Sequence, residues 1–390
     1  MAIHALKSKR VMDGYRSIPN GVVIIENGKI IGVGPQSRTP IPDGAQVVDY
    51  GDDIIAPGFI DIHAHGYKGI SCSISPEACL EFAGYMAQHG NPTILPTASV
   101  NIPNVLAAMK TQEKDGYTGA SMPVIHMEGP FLTPKNIKGY ESADAHLLSP
   151  SIEKFEEFWA QAEGRIRMMG VGIELPGALD LARHMKQKGV VVACAHTRLG
   201  YDDMLKAYEN GVTHATHIYN VMTGLHHRRP GIVGATLSFD GITTEMICDG
   251  LHVHPAAMEI AIRCKGVDHI AMISDLTMAG LPDGDYKRDD GREITVKDGV
   301  ARAKGVDPNL DNTMSGSCFT MEYGIRTVYQ VLNRPLEDAI RMATITPAKL
   351  MGLDGFTGSL EVTKDADIVI FDNDINIKET IVKGTSVYNA

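Results

Sequence analysis

Aromatic residues are scarce in this chain of 390 residues: 6%, with one tryptophan. That scarcity argues against a sugar-stacking lectin or a platform for nucleic-acid bases. Cysteines are few, and none of the six (Cys72, Cys79, Cys194, Cys248, Cys264, Cys318) forms a C-x-x-C pair. A zinc ribbon or dithiol redox motif is therefore disfavoured. Cys194, Cys248 and Cys264 lie in or near apolar runs and read as buried, reduced thiols. No run approaches the roughly 18–20 uninterrupted apolar residues of a membrane span. Residues 1–7 lack the apolar stretch of a secretion signal, so the expected location is cytoplasmic. Basic residues are outnumbered, 36 against 47 acidic, for a net charge of −11. This disfavours nucleic acid or an anionic membrane as partner, while an anionic small molecule needs only one local basic pocket. Against these absences stands 44% hydrophobic content without a long biased tract. The composition is that of a folded chain with a large core.

The order of apolar runs and breakers predicts two architectures. Val22–Ile31 is two β-rich runs around Asn27-Gly28, a strong hairpin signal. The C-terminus repeats that grammar at 367–371 and again at 380–387, with Lys383-Gly384 inside the second run. We expect one small β domain built from both termini, 1–56 with 357–390. Between them, short apolar strands alternate with helices. Ser75-Pro76-Glu77 reads as a helix cap, with Cys79, Phe82, Ala83 and Met86 on its apolar face and Gly90 ending it. Strands are expected at 93–97, 123–129, 166–173, 190–196, 213–217 and 269–275, and helices at 151–162, 177–188 and 201–210. Such alternation means a parallel sheet, and six or more units in about 300 residues suit a (β/α)8 TIM-type barrel over 57–356.

Several of these strands finish on a metal-ligand residue type. The run Ala56–His65 ends in His63-Ala64-His65, and alternate residues share one face of a strand. Glu128, His196, His217 and Asp275 end others. In a barrel the C-terminal strand ends converge on one mouth, where imidazoles and carboxylates form a site for divalent zinc, iron or manganese. His89, His146, His184 and His269 read as surface or packing residues. His214, three residues before His217 on a strand, should face the opposite way and be structural. His252 follows Asp249-Gly250-Leu251 and should reach the same mouth, with His254 packing outside. The basic run His226-His227-Arg228-Arg229-Pro230 admits two readings, a solvated loop or an anion clamp beside the site.

On these residues the chain resembles the amidohydrolase superfamily and, within it, the N-acetylglucosamine-6-phosphate deacetylases. The motifs are Pro57-Gly58-Phe59-Ile60-Asp61-Ile62-His63-Ala64-His65-Gly66, His126-Met127-Glu128-Gly129-Pro130-Phe131-Leu132 and Thr213–Met222. Arg228-Arg229-Pro230-Gly231, Asp249-Gly250-Leu251-His252, Ser315-Gly316-Ser317 and Thr346-Pro347-Ala348 extend them. The resemblance implies a metal-bearing barrel plus a small β-sandwich from both termini, in a homodimer. It implies that Glu128, His196 and His217 hold the principal divalent ion, zinc first with Fe2+ or Mn2+ as alternatives. His63 and His65 would hold a second with Glu128, giving one or two ions per chain. Asp275 matches the family's catalytic acid/base. Asn220, Val221, Arg228, His252 and the stretch near Met314 match positions that touch an amino-sugar phosphate. Two positions depart from the family: it usually has alanine where Val221 stands, and histidine where Glu141 falls. Other N-acyl amino sugars, the galacto epimer included, stay open as substrates. Cyclic-amide hydrolases commonly bridge two metals with a carboxylated lysine, a place Glu128 takes here. A catalytically dead scaffold would have lost a ligand or Asp275, and none is lost.

Overall fold

A computed structural model describes residues 3–114, 116–134, 145–289, 291–304 and 314–390. Glu141 lies outside these residues. Eight short parallel strands follow one another around a barrel-like sheet: Ile60–Ala64, Thr93–Ala98, Ile125–Glu128, Ile166–Val171, Val191–Cys194, Val212–Ala215, Thr243–Ile247 and Ile270–Ile273. Closure comes from the first and last strands. Ala64 bridges Leu276 in parallel, the Asp275 N–H donates to His63 O (2.9 Å), and the His65 N–H donates to Leu276 O (2.9 Å).

The helices between strands form where caps and apolar spacing agree. Helix Pro76–Gln88 starts at Ser75, whose hydroxyl accepts from the Ala78 N–H at 3.1 Å, and buries Cys79, Phe82, Ala83 and Met86. Ser151 likewise opens helix Ile152–Gln161, accepting from the Lys154 N–H at 3.2 Å. The expected strands appear, with the ligand types at or just past their ends. One cysteine departs from expectation. Cys264 is exposed, because helix Pro255–Lys265 buries Met258, Ala261, Ile262 and Lys265 and leaves Cys264 on its outer side.

The two ends of the chain share an eight-stranded mixed sheet of Ile3–Met12, Ser17–Glu26, Lys29–Pro35, Gln46–Asp49, Ile54–Pro57, Ile368–Phe371, Ile377–Val382 and Thr385–Asn389. The joint is antiparallel pairing of Ile54–Pro57 with Ile368–Phe371. Asn27 and Gly28 both have positive φ (52° and 76°), as the two-residue hairpin turn requires. The stretch 380–387, read as one run, is a second hairpin: Lys383 and Gly384 also have positive φ (46° and 78°) and split it into two strands. Phe371, fully buried, packs on Phe59 with ring centroids 6.1 Å apart, in a core that also holds Leu336 and Ile340 of helix Leu336–Ala343.

A three-stranded antiparallel sheet, Gly284–Lys287, Glu293–Lys297 and Val300–Ala303, follows the last barrel strand and was not expected from the sequence. Its second and third strands alternate buried Ile294, Val296, Ala301 and Ala303 with outward residues around Asp298-Gly299, a hairpin signal that the reading of the sequence passed over. It seats Met314 through a bridge to Arg302.

Because Phe371 ties the shared sheet to the barrel, Phe371→Ala should cost about 3–5 kcal/mol, the usual range for emptying a buried aromatic site. Urea denaturation followed by far-ultraviolet circular dichroism measures this. A loss under about 1 kcal/mol would mean that the two layers do not depend on the contact.

Candidate metal and catalytic site

Six polar side chains gather at one end of the barrel. His63 lies in the first strand and His65 one residue past it; Glu128 ends the third strand. His196, His217 and Asp275 each sit two residues beyond the fifth, sixth and eighth strands. These last three share a backbone peculiarity: their φ angles are 48°, 31° and 50°. A left-handed conformation in a residue with a side chain costs on the order of 1–3 kcal/mol. It persists here because the backbone on either side is pinned. Thr216 donates to Cys194 O (3.0 Å), Ile218 to Glu245 O (2.9 Å) and Ser317 to Asp275 O (3.0 Å).

Glu128 is the hub. Its Oε1 lies 3.0 Å from His217 Nε2 and 3.3 Å from His196 Nε2. Its Oε2 lies 3.4 Å from His65 Nε2 and 3.8 Å from His63 Nε2. Asp275 Oδ1 closes the group at 3.4 Å from His65 Nε2 and 4.0 Å from His63 Nε2. Two triads here have donor atoms within 4.8 Å of one another, Glu128–His196–His217 and His63–His65–Glu128.

The electrostatics of the cluster follow from these contacts. Burial alone would raise the Glu128 pKa, yet His196 and His63 hold it well below the usual carboxylate range. Burial would raise Asp275 too, but the hydrogen bond from His65 and the charge of His63 bring it to about 2. Burial works against the charged forms of His63 and His65, and the facing carboxylates overcome it and raise both. All four shifts arise from the same contacts between imidazoles and carboxylates. The Nε2 atoms of His63 and His65 stand 3.2 Å apart and aim into the same space. Lone pairs of neutral imidazoles meet in this way around a cation, so the donor set fits a divalent ion.

The other expected residues lie around this centre. His252 Nδ1 is 2.6 Å from Asp249 Oδ2, and Asp249, His252 and Met314 line one depression. Asn220 Nδ2 turns back to His217 O (3.4 Å), and Val221 holds φ 52°. Arg228 is exposed on the loop after the sixth strand, where His226 bridges Arg229. His254 is exposed and caps helix Pro255–Lys265. His214 is buried, its Nδ1 2.7 Å from Thr243 Oγ1.

Three buried residues were missed as individuals. Asp61, raised to about 6 by burial, bonds the Ser274 hydroxyl and so ties the first strand to the eighth. His126, lowered to about 3 by burial and by the charge of His63, has Nδ1 2.8 Å from Ile62 O. Glu245 lies beneath His63, with His63 Nδ1 2.9 Å from its Oε2. A lone carboxylate in the apolar strand Thr243–Ile247 was the available signal for Glu245.

A parallel barrel with a shared terminal sheet and this cluster at its mouth defines a metal-dependent hydrolase class. The model of the amidohydrolase family matches residues 54–387, and the chain belongs to that family. It is 32% identical over 397 residues to the N-acetylglucosamine-6-phosphate deacetylase of Vibrio furnissii, covering 99% of this chain and 96% of that one. It is 30% identical over 387 residues to the N-acetylgalactosamine-6-phosphate deacetylase of Escherichia coli, covering 98% of each. Among solved structures, a mutant of the Mycobacterium smegmatis N-acetyl-D-glucosamine-6-phosphate deacetylase in complex with N-acetyl-D-glucosamine-6-phosphate superposes with a TM-score of 0.87. The identity is 26%, and all of both chains is covered. No helix among the described residues is long and apolar enough to cross a membrane.

Protein purified without chelator is expected to carry at least one divalent ion per chain by elemental analysis. His217→Ala removes one of two nitrogens facing Glu128 Oε1 and should strip the principal ion. Undiminished metal content in that variant would contradict the assignment.

Proposed function

We propose that this amidohydrolase removes the acetyl group from N-acetylglucosamine 6-phosphate, yielding glucosamine 6-phosphate and acetate. The observation that carries the reading is the convergence of four imidazoles on the Glu128 carboxylate, with Asp275 against two of them, in a chain about 30% identical over its full length to sugar-phosphate deacetylases. The 30% identity to an N-acetylgalactosamine-6-phosphate deacetylase supports the galacto epimer as a second reading. We assign 57–356 to the catalytic unit and 1–56 with 357–390 to the β unit, in a cytoplasmic homodimer.

In this reading Glu128, His196 and His217 hold the first ion, zinc by preference. His63 and His65 share Glu128 for a second. A bound divalent ion lowers the pKa of water to about 7 and polarises a carbonyl. Asp275, held ionised by His65 and His63, accepts the proton of the attacking water. It returns that proton to the nitrogen as the C–N bond breaks, so the amine and acetic acid leave, and the acid's remaining proton passes to the amine or to solvent to give acetate. With Nδ1 fixed on Asp249, His252 keeps Nε2 for a carbonyl or hydroxyl oxygen of the substrate. Asn220, Val221 and Met314 contact the sugar. Arg228, whose forked donors suit a phosphate, serves the 6-phosphate.

Acetate release should be measured on a panel of phosphorylated and unphosphorylated N-acetyl amino sugars of both epimers. We expect N-acetylglucosamine 6-phosphate to exceed the free sugar at least tenfold in kcat/KM, and Arg228→Ala to erase most of that preference through KM. Equal turnover of the free sugar would overturn the phosphate reading, and a preference for the galacto phosphate would select the second reading.

Asp275→Asn keeps the shape but removes the base. Turnover should fall roughly 10²–10⁴-fold, the ordinary size of a general acid–base contribution, with the metal retained. Near-normal turnover would remove Asp275 from the mechanism.

A further inference from the structure

Below the cluster lies a carboxylate that the mechanism leaves unused. Glu245 is fully buried in the middle of the seventh barrel strand. Burying an ionised carboxylate is expensive unless its oxygens are paired, and the partners of Glu245 are specific. Oε2 lies 2.9 Å from Nδ1 of His63, itself fully buried, and also accepts the His217 N–H at 3.3 Å. Oε1 lies 3.6 Å from His214 Nε2, and His214 is held in turn by Thr243. His126 sets its ring nearly perpendicular to that of His63, with centroids 4.6 Å apart. The His63 ring is thus fixed on its Nδ1 edge and braced on its face. Its remaining nitrogen, Nε2, is the one that reaches toward His65 and Glu128.

We propose that Glu245 is the positioning residue of the second metal position: by accepting the Nδ1 hydrogen of His63 it fixes the tautomer and ring orientation that present Nε2 as a ligand. The proposal rests on the reading that His63, His65 and Glu128 hold a second ion. An imidazole binds a cation through an unprotonated nitrogen, so its one hydrogen must sit on the other nitrogen. A buried carboxylate at 2.9 Å is the strongest local means of keeping it there, and it also makes the ligand nitrogen more electron-rich. Glu128 and Glu245 therefore divide the work on opposite edges of one ring: Glu128 shares the ion and Glu245 holds the ligand. Histidine 63 would otherwise be free to adopt either tautomer, since its ring touches no other acceptor at Nδ1 among the contacts described.

The test is a zinc titration of metal-free protein against a competing chelator, for wild type, Glu245→Gln, His63→Ala and the double variant. Glu245→Gln keeps the volume and the one oxygen that faces both the His63 Nδ1 and the His217 N–H, so it removes the charge behind the His63 hydrogen bond while the backbone contact of His217, and with it the first site, is preserved. The expected result is two ions in wild type. Glu245→Gln should weaken the second by tenfold or more, within the roughly 10–100-fold range for losing an outer partner of a ligating histidine. Binding of the first ion should change less than threefold. His63→Ala should abolish the second ion, and adding Glu245→Gln to it should change nothing further. A purely structural role would weaken both ions equally and would add to His63→Ala; either result overturns the proposal. Two ions bound by Glu245→Gln as tightly as by wild type would overturn it alone. A single ion in wild type would overturn the two-ion reading and the proposal with it. A third ion lost in Glu245→Gln would make that carboxylate a ligand and not a positioning residue.

Discussion

Glu128 is a carboxylate that no barrel interior tolerates alone. Removing an ionised carboxylate from water costs several kcal/mol even after relaxation, and this one is 9% exposed. Its compensation arrives from three other strands, as His63 and His65 from the first, His196 from the fifth and His217 from the sixth. Those strands are held at the required separation by closure of the barrel between Ala64 and Leu276. The same closure delivers Asp275, because its own N–H is bonded to His63 O. Fold and chemistry are therefore coupled through one side chain: the site requires a closed sheet, and each of its groups is tolerable because the others are present.

The left-handed residues at the strand ends serve this arrangement. His196, His217 and Asp275 leave their strands through a conformation that L-residues avoid. Strain of this kind is retained where surrounding bonds over-determine it. Here the bonds on either side are ordinary backbone hydrogen bonds between neighbouring strands and loops, such as Thr216 to Cys194 and Ser317 to Asp275. The positions of these three side chains are thereby set by backbone rather than by soft side-chain torsions. Arg228 sits in an exposed turn whose own backbone bonds, His226 with Arg229, tie it only to itself and not to a barrel strand.

Much of this was legible in the residues. The Ser75 cap, the Asn27-Gly28 turn and the strands ending in His196, His217 and Asp275 all rest on local rules, and the structure follows them. The residues that escaped notice depend on non-local contacts. Glu245 and His126 sit within apolar strands, and their meaning comes from a ring on the first strand. Cys264 follows an apolar stretch, yet helix phase turns it outward while Lys265 beside it is buried. The Lys383-Gly384 turn was hidden because β-branched residues flank it on both sides and only its φ angles reveal the reversal. The inserted sheet that seats Met314 was legible in the alternation of Ile294, Val296, Ala301 and Ala303 around Asp298-Gly299, and it was passed over beside the longer apolar runs of the barrel.

The sheet shared by the two termini also imposes an order on synthesis. The strand Ile54–Pro57 has no partner on its Ile368–Phe371 side until that segment has been made, 311 residues after Pro57. A ribosome adding roughly 5–20 residues per second leaves that edge open for about 15–60 s. During this interval Ile54, Ile55 and Ala56, all buried in the finished molecule, face water or whatever chain is nearby. An exposed apolar edge strand is a template for wrong pairing. In crowded translation, then, the vulnerable period of this protein is set by the distance along the message between the two halves of one sheet.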